Sequence, residues 1–167
     1  MELGGRVIPL TYAVEDLPAG VEAQTRYERD RGCITIALSP ATYAALEGGE
    51  ARATFSVAHE IGHAVLHTEE LVELSQIPHK TAAMLRGQAD HAVYFDTEWQ
   101  AHGFAGALLM PAEGLAQVES EAPWGPLRIP MGPTLIVLRY GVSHAAAEIR
   151  WRVFGQHRTA LMNVNMR

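Results

Sequence analysis

Hydrophobic and polar residues alternate along two short segments near the beginning of the sequence. Residues 21–29 (Val-Glu-Ala-Gln-Thr-Arg-Tyr-Glu-Arg) and residues 33–38 (Cys-Ile-Thr-Ile-Ala-Leu) are separated by the polar turn Asp30-Arg31-Gly32. This pattern predicts the two strands of a β-hairpin, because alternate residues of a strand face opposite sides of a sheet. Ser39-Pro40 ends the second strand, and a short helix over residues 41–46 is predicted to follow.

The next segment has the apolar spacing of a helix instead of the alternating pattern of a strand. Residues 52–74 contain one glycine and no proline, and apolar residues recur at a spacing of three or four: Phe55, Ala58, Ile61 and Val65. This spacing places them on one face of a helix. We therefore predict a single long helix over these residues, which Pro78 ends at the latest.

A second helix is predicted from Thr97. Thr97 and Gln100 have the spacing of a capping box, and the acidic Asp96 and Glu98 suit the positive end of the helix dipole. Pro111 ends this helix.

The remaining sequence predicts a proline-rich surface loop and more helices. Residues 119–133 contain four prolines, and helical patterns follow over residues 134–140 and 143–154. A hairpin followed by helices predicts an α+β fold with a small, mainly antiparallel sheet. The 167 residues suit a single domain, with a core over about residues 20–155.

Composition narrows the function classes. Cys33 is the only cysteine, which excludes an internal disulfide and a cysteine-rich metal site. The net charge of −6 disfavours direct nucleic-acid binding, since phosphate contacts need clustered Lys and Arg. The longest apolar stretches, residues 104–110 and 135–138, are far shorter than the roughly 20 residues of a membrane span. Because the first residues also lack the pattern of a signal peptide, we expect a cytoplasmic protein without a membrane partner.

The candidate chemistry lies in the predicted long helix, where residues 59–63 read His-Glu-Ile-Gly-His. Residues four apart project from one helix face, so His59 and His63 can bind one zinc ion. Glu60 lies beside this pair, where it can accept a proton from an activated water as general base. The motif therefore predicts a zinc-dependent hydrolase with one ion per chain.

A catalytic zinc site needs a third protein ligand and an open fourth position. We predict Glu98, because small residues follow it on its helix and would permit close packing against the first helix: Ala101, Ala105 and Gly106. Asp96, His79, His91 and His102 remain competing ligands.

Weaker predictions concern residues that orient a ligand or contact the substrate. His102 shares a helix face with Glu98, and His67 continues the face of His63, although a core-edge position is the simpler interpretation of His67. Tyr94, His91 and His79 are candidates for stabilising an oxyanion, and the sequence does not choose among them.

Three segments resemble the ImmA/IrrE metallopeptidase family of prokaryotic regulators. They are residues 54–67 (TFSVAHEIGHAVLH), 98–111 (EWQAHGFAGALLMP) and 140–150 (YGVSHAAAEIR). The resemblance implies a minimal zincin-like fold, a small sheet packed on the HExxH helix, and zinc ligation by Glu98 with the two histidines. His102 departs from the usual Asn or Asp, which puts its orienting role in doubt, and Trp151 replaces a usual Leu. Because fewer than about 20 residues precede the hairpin, we expect the chain to lack the helix-turn-helix domain that some relatives carry.

Members of this family are thought to cut or bind helix-turn-helix repressors. The resemblance therefore implies a gluzincin-like endopeptidase acting on a DNA-binding repressor or an antitoxin. The alternative is a non-proteolytic zinc-binding partner module of a toxin–antitoxin or phage-type regulatory system. A third hypothesis is DNA binding through the helix that carries Arg150 and Arg152. The apolar residues Ile149, Trp151 and Phe154 instead favour a packing role for that helix.

Overall fold

The computed structural model of the protein describes residues 2–3, 6–76, 96–121 and 131–163. The chain separates into two units, residues 1–105 and 106–167. The described helices are α1 (Pro40–Glu47), α2 (Ala51–Leu66), α3 (Thr68–Leu74), α4 (Thr97–Leu109), α5 (Ala112–Glu121), α6 (Gly132–Tyr140) and α7 (His144–Asn163). Together with the strands below, they confirm the α+β class. The single domain expected from the sequence stays a prediction.

The first unit contains the described strands. They are β1 (Glu2–Leu3), β2 (Arg6–Val7), β3 (Leu10–Val14), β4 (Ala23–Glu28) and β5 (Cys33–Leu38). β1 and β2 pair with each other, and the main sheet has the order β3-β5-β4. The predicted hairpin is confirmed as β4 and β5, which pair antiparallel with Thr25 opposite Ile36. The sheet is mixed, because β3 pairs in parallel with β5.

The predicted long helix is interrupted at His67. The backbone of this residue leaves the helical region, at φ −121° and ψ 33°, so α2 ends before it and α3 begins after it. The Thr68 hydroxyl donates a 2.7 Å hydrogen bond to the carbonyl of Ala64, and Glu69 and Glu70 lie in the first turn of α3. Acidic residues stabilise a helix N-terminus, so the sequence contains a start signal that helical periodicity alone did not reveal. The prediction of one continuous helix is therefore wrong.

The Asp96 side chain caps the start of α4. Its carboxylate accepts hydrogen bonds from the backbone N–H groups of Glu98 and Trp99, at 2.8 and 3.3 Å. The Oε1 atom of Gln100 lies 2.9 Å from Nε2 of His67, at the end of α2. Ala101 and Ala105 are fully buried, and the backbone of Ala101 contacts Gly62. The expected close packing of the two helices is confirmed at Ala101.

α2 also packs on the sheet. Ile8, Ile34, Ala64 and Leu71 form one buried cluster, against which Tyr27 and Val72 pack. This packing fixes the face of α2 that is turned toward β4 and β5. The two histidines of the motif and Glu60 are therefore held by an element anchored in the core.

The second unit has its own core, formed by Met110, Leu115, Val118, Ile136, Val142, Ala147 and Phe154. The helices predicted near its end are confirmed as α6 and α7, although α7 continues to Asn163 with a kink at His157. Helix α5 was not predicted, and the predicted loop over residues 119–133 is wrong where it overlaps α5 and α6. Its central part, residues 122–130, lies outside the described residues. Nowhere in the part of the chain that the structure describes is a helix long and apolar enough to cross a membrane.

Candidate metal centre

His59 and His63 lie side by side on α2. Their Nε2 atoms are 3.0 Å apart, and their rings meet edge to face. His63 is 4% exposed, and the side chain of His59 is 12% exposed. The i, i+4 spacing thus brings two imidazole nitrogens to one point at the surface of the helix.

Glu98 approaches this pair from α4. Its Oε2 lies 3.3 Å from Nε2 of His59, and its Oε1 lies 3.3 Å from Nε2 of His63. Ligand atoms around a tetrahedral ion with bonds of about 2.0 to 2.1 Å are separated by about 3.3 Å. The three side chains therefore form a triangle of the size and donor chemistry that a metal ion requires.

Burial keeps both histidines in the form that binds metal. Burial, followed by the charges of the neighbouring histidines, lowers the pKa of His63 to about 3. Burial also lowers the pKa of His59, and His102 acts in the same direction while Glu98 opposes it. Neutral imidazoles have a free lone pair, so at neutral pH the contacts with Glu98 are not ion pairs and the ligand atoms are available.

Glu60 is held by the sheet. The Thr25 hydroxyl, which is fully buried on β4, lies 2.6 Å from Oε2 of Glu60 and 2.9 Å from its backbone carbonyl. Burial raises the pKa of Glu60, whereas the hydrogen bond from Thr25 lowers it and Glu98 raises it. A carboxylate with a raised pKa in a cleft is suited to exchanging a proton near neutral pH. Sequence reasoning missed Thr25, because nothing in the hairpin pattern relates it to Glu60.

His102 lies at the edge of the site. Its ring is exposed and meets the ring of His59 at a centroid distance of 4.5 Å. His59, Glu98 and His102 offer ligand atoms within 4.8 Å of one another. This set overlaps the triangle of His59, His63 and Glu98, whose distances of 3.0 to 3.3 Å make it the better match to a single ion.

The other candidates fall in three places. Asp96 caps α4 and is turned to the backbone of that helix. His67 lies behind His63, where its buried ring contacts both His63 and Gln100. His79, His91 and Tyr94 lie outside the described residues. Gln100 is a further residue that sequence reasoning missed, since its spacing from Thr97 was interpreted as a local helix cap.

A cavity of about 690 Å³ opens onto these side chains. Its walls include residues 21–25 of the segment that enters β4, and residues of α2 such as Phe55 and Ser56. His59, Glu60, His63, Glu98 and His102 all contribute to its lining. The candidate ligands and the partly buried carboxylate of Glu60 thus face one accessible space.

Comparison with known proteins identifies the family. None of the curated proteins compared with the chain matches it. Residues 48–152, which include α2, α4 and most of the second unit, match the profile of the IrrE N-terminal-like domain, a peptidase family. This match covers more than half of the sequence and agrees with the motif and the arrangement of its side chains. The chain therefore belongs to the IrrE N-terminal-like family of metallopeptidases.

Proposed function

We propose that the protein is a zinc-dependent endopeptidase of the gluzincin type. His59, His63 and Glu98 would hold the ion, and Glu60 would act as general base. One observation carries this proposal: the Nε2 atoms of His59 and His63 lie 3.0 Å apart, each 3.3 Å from one carboxylate oxygen of Glu98, beside the partly buried Glu60 carboxylate. Zinc is the metal that two imidazoles and one carboxylate typically bind when a fourth position stays open for chemistry.

Each residue has a distinct task in hydrolysis. A bound zinc ion would supply Lewis acidity for the scissile carbonyl and for the attacking water. Glu60 would accept a proton from the attacking water and pass it to the nitrogen of the leaving amine. The raised pKa of Glu60 makes it a stronger base toward that water than an ordinary carboxylate.

The edge strand beside the cavity favours a peptide in an extended conformation. β4 is an edge strand, paired with β5 on one side and with no strand on the other among the described residues. The same strand lines the cavity next to His59 and Glu60. An extended peptide can pair with such an edge through main-chain hydrogen bonds, which would lay its backbone across the metal centre.

For the substrate we propose a DNA-binding repressor or an antitoxin in the cytoplasm. The family resemblance supports this class, and the net charge of −6 suits a partner with a basic surface. A site-specific enzyme of this kind would not endanger other proteins of the cell.

The test is incubation of the purified protein with the repressor or antitoxin encoded beside its gene, followed by mass spectrometry of the products. We expect cleavage at one bond that a chelator stops and added zinc restores. Glu60→Gln should retain zinc and lose cleavage, whereas Glu70→Gln, an exposed glutamate on α3, should behave as the wild type. Cleavage by Glu60→Gln at the wild-type rate would overturn the assignment of the base. A stable complex without any cut product would favour the non-proteolytic alternative.

A further inference from the structure

A chain of side-chain contacts leads away from the candidate metal centre into the protein. Nδ1 of His63 lies 3.2 Å from Nδ1 of His67, and Nε2 of His67 lies 2.9 Å from Oε1 of Gln100. His63 and His67 are 4% and 2% exposed. The Nε2 atom of His63, at the other end of this chain, faces Glu98 in the proposed zinc site.

The proton positions along this chain follow from the atoms that meet. An amide oxygen only accepts hydrogen bonds, so Nε2 of His67 must carry the proton that it donates to Gln100. A neutral imidazole has one ring proton, which leaves Nδ1 of His67 as an acceptor. Nδ1 of His63 must then donate, and Nε2 of His63 is left with a free lone pair directed at the metal position.

The opposite arrangement would block metal binding. If the amide nitrogen of Gln100 faced His67, each hydrogen bond would reverse and Nε2 of His63 would carry the proton. That proton would occupy the position of the ion. The orientation of one amide is therefore coupled, through His67, to the ability of His63 to act as a ligand.

We infer that His67 and Gln100 are positioning residues that hold His63 in its metal-binding tautomer and ring orientation. This inference rests on the proposed zinc site but not on any catalytic step. Residues that orient a metal-bound histidine typically change metal affinity about 10- to 100-fold when they are removed.

The two ligand histidines differ in the hydrogen bonding of their Nδ1 atoms. Nδ1 of His59 is buried and has no hydrogen-bond partner within residues 2–3, 6–76, 96–121 and 131–163. His63, in contrast, is supported through two further side chains from outside α2. The backbone turns at His67, between α2 and α3, and the ring of this residue contacts both His63 and Gln100. These two contacts account for the interruption between the two helices.

The first experiment needs no substitution. Long-range ¹⁵N–¹H spectra of the metal-free protein should show His63 protonated at Nδ1 and unprotonated at Nε2, with His67 protonated at Nε2. The reverse pattern would overturn the inference. Because this readout contains neither zinc nor substrate, it remains decisive even if the proposed peptidase activity fails its own test.

The second experiment measures zinc affinity by competition with a chromophoric chelator. Gln100→Leu and His67→Leu should bind zinc about 10- to 100-fold more weakly. His67→Asn, whose amide oxygen can replace the acceptor at Nδ1, should recover part of the loss. The matched control is Gln117→Leu, at an exposed glutamine of α5, which should bind zinc as the wild type does. Wild-type affinity in both leucine variants would also overturn the inference, and the tautomers of the metal-free wild type decide the matter if a variant does not fold.

Discussion

Gly62 of α2 lies directly against the backbone of Ala101 in α4. A Cβ atom at position 62 would stand 3.1 Å from both the Cα and the carbonyl oxygen of Ala101, and 3.2 Å from the ring of Phe104. The missing side chain thus sets the distance between the two helices. Because Glu98 lies one turn before Ala101, the same contact sets the distance from its carboxylate to His59 and His63.

The first prediction is that Gly62→Ala weakens zinc binding without touching a ligand. The added methyl group meets backbone atoms, which cannot move aside alone, so α4 must shift and carry Glu98 with it. We expect a loss of affinity of about tenfold or more, in the range seen when supporting residues are altered. The control is Gly103→Ala on α4, where an added Cβ has no neighbour within 4 Å. Equal affinities of the two variants would contradict this account.

The second prediction concerns Glu98 itself. Glu98→Ala removes one of three ligands, so zinc should be lost during dialysis while the protein stays folded. Elemental analysis and circular dichroism measure these two properties. Glu148→Ala, which removes an exposed glutamate of α7, should keep one zinc ion per chain. Retention of a full equivalent of zinc by Glu98→Ala would exclude Glu98 as a ligand.

The third prediction concerns the hydrogen bond that supports Glu60, the proposed base, and leaves the metal ligands unchanged. Thr25→Val removes the hydroxyl that donates to Glu60 and leaves a partly buried carboxylate oxygen without this partner. We expect kcat to fall about tenfold at unchanged zinc content, and the free energy of unfolding to fall by about 1–3 kcal/mol. Thr25→Ser keeps the hydroxyl and should retain most of the activity. Steady-state kinetics and thermal unfolding would show whether the hydroxyl or only the shape of the side chain matters.

The fourth prediction is that His102 does not hold the ion. Its Nδ1 donates to the backbone carbonyl of Glu98 at 3.0 Å, a contact within α4. The side chain is exposed, and His63 already completes the triangle with His59 and Glu98. His102→Asn should therefore bind zinc within about threefold of the wild type, well below the change expected for a residue that supports the metal. A loss as large as that of Glu98→Ala would instead make His102 a ligand.

The fifth prediction tests the second unit. Arg150 is 9% exposed, and its Nε donates to the carbonyl of Met110 at 3.1 Å. The Arg150 side chain is therefore buried and does not contact DNA. The DNA-binding hypothesis loses one of the two cations on which it depends. Arg150→Met should lower the free energy of unfolding by about 1–3 kcal/mol, because the carbonyl loses its buried partner. Arg152→Met, at an exposed position of the same helix, should unfold at the wild-type temperature.

Local sequence was sufficient for the features that depend on short spacing. The pairing of His59 with His63 follows from the geometry of one helix turn, and the hairpin follows from alternation around a polar turn. The choice of Glu98 drew on the small residues after it and on the family resemblance. Ala101 and Ala105 are buried as expected, whereas a Cβ added at Gly106 would stand 3.8 Å from the side chain of Arg150 rather than near α2.

Only the tertiary structure decided the features that join distant residues. Thr25 reaches Glu60 across 35 positions, and His67 reaches Gln100 across 33. In the sequence Gln100 has the spacing of a local cap and His67 continues a helical face, so each local pattern competes with a long-range contact. At His67 the buried contact prevails, because leaving a buried polar atom unpaired costs more than giving up one turn of helix. The sequence therefore determined which residues can bind a metal, whereas the folded chain determined which other side chains hold them in position.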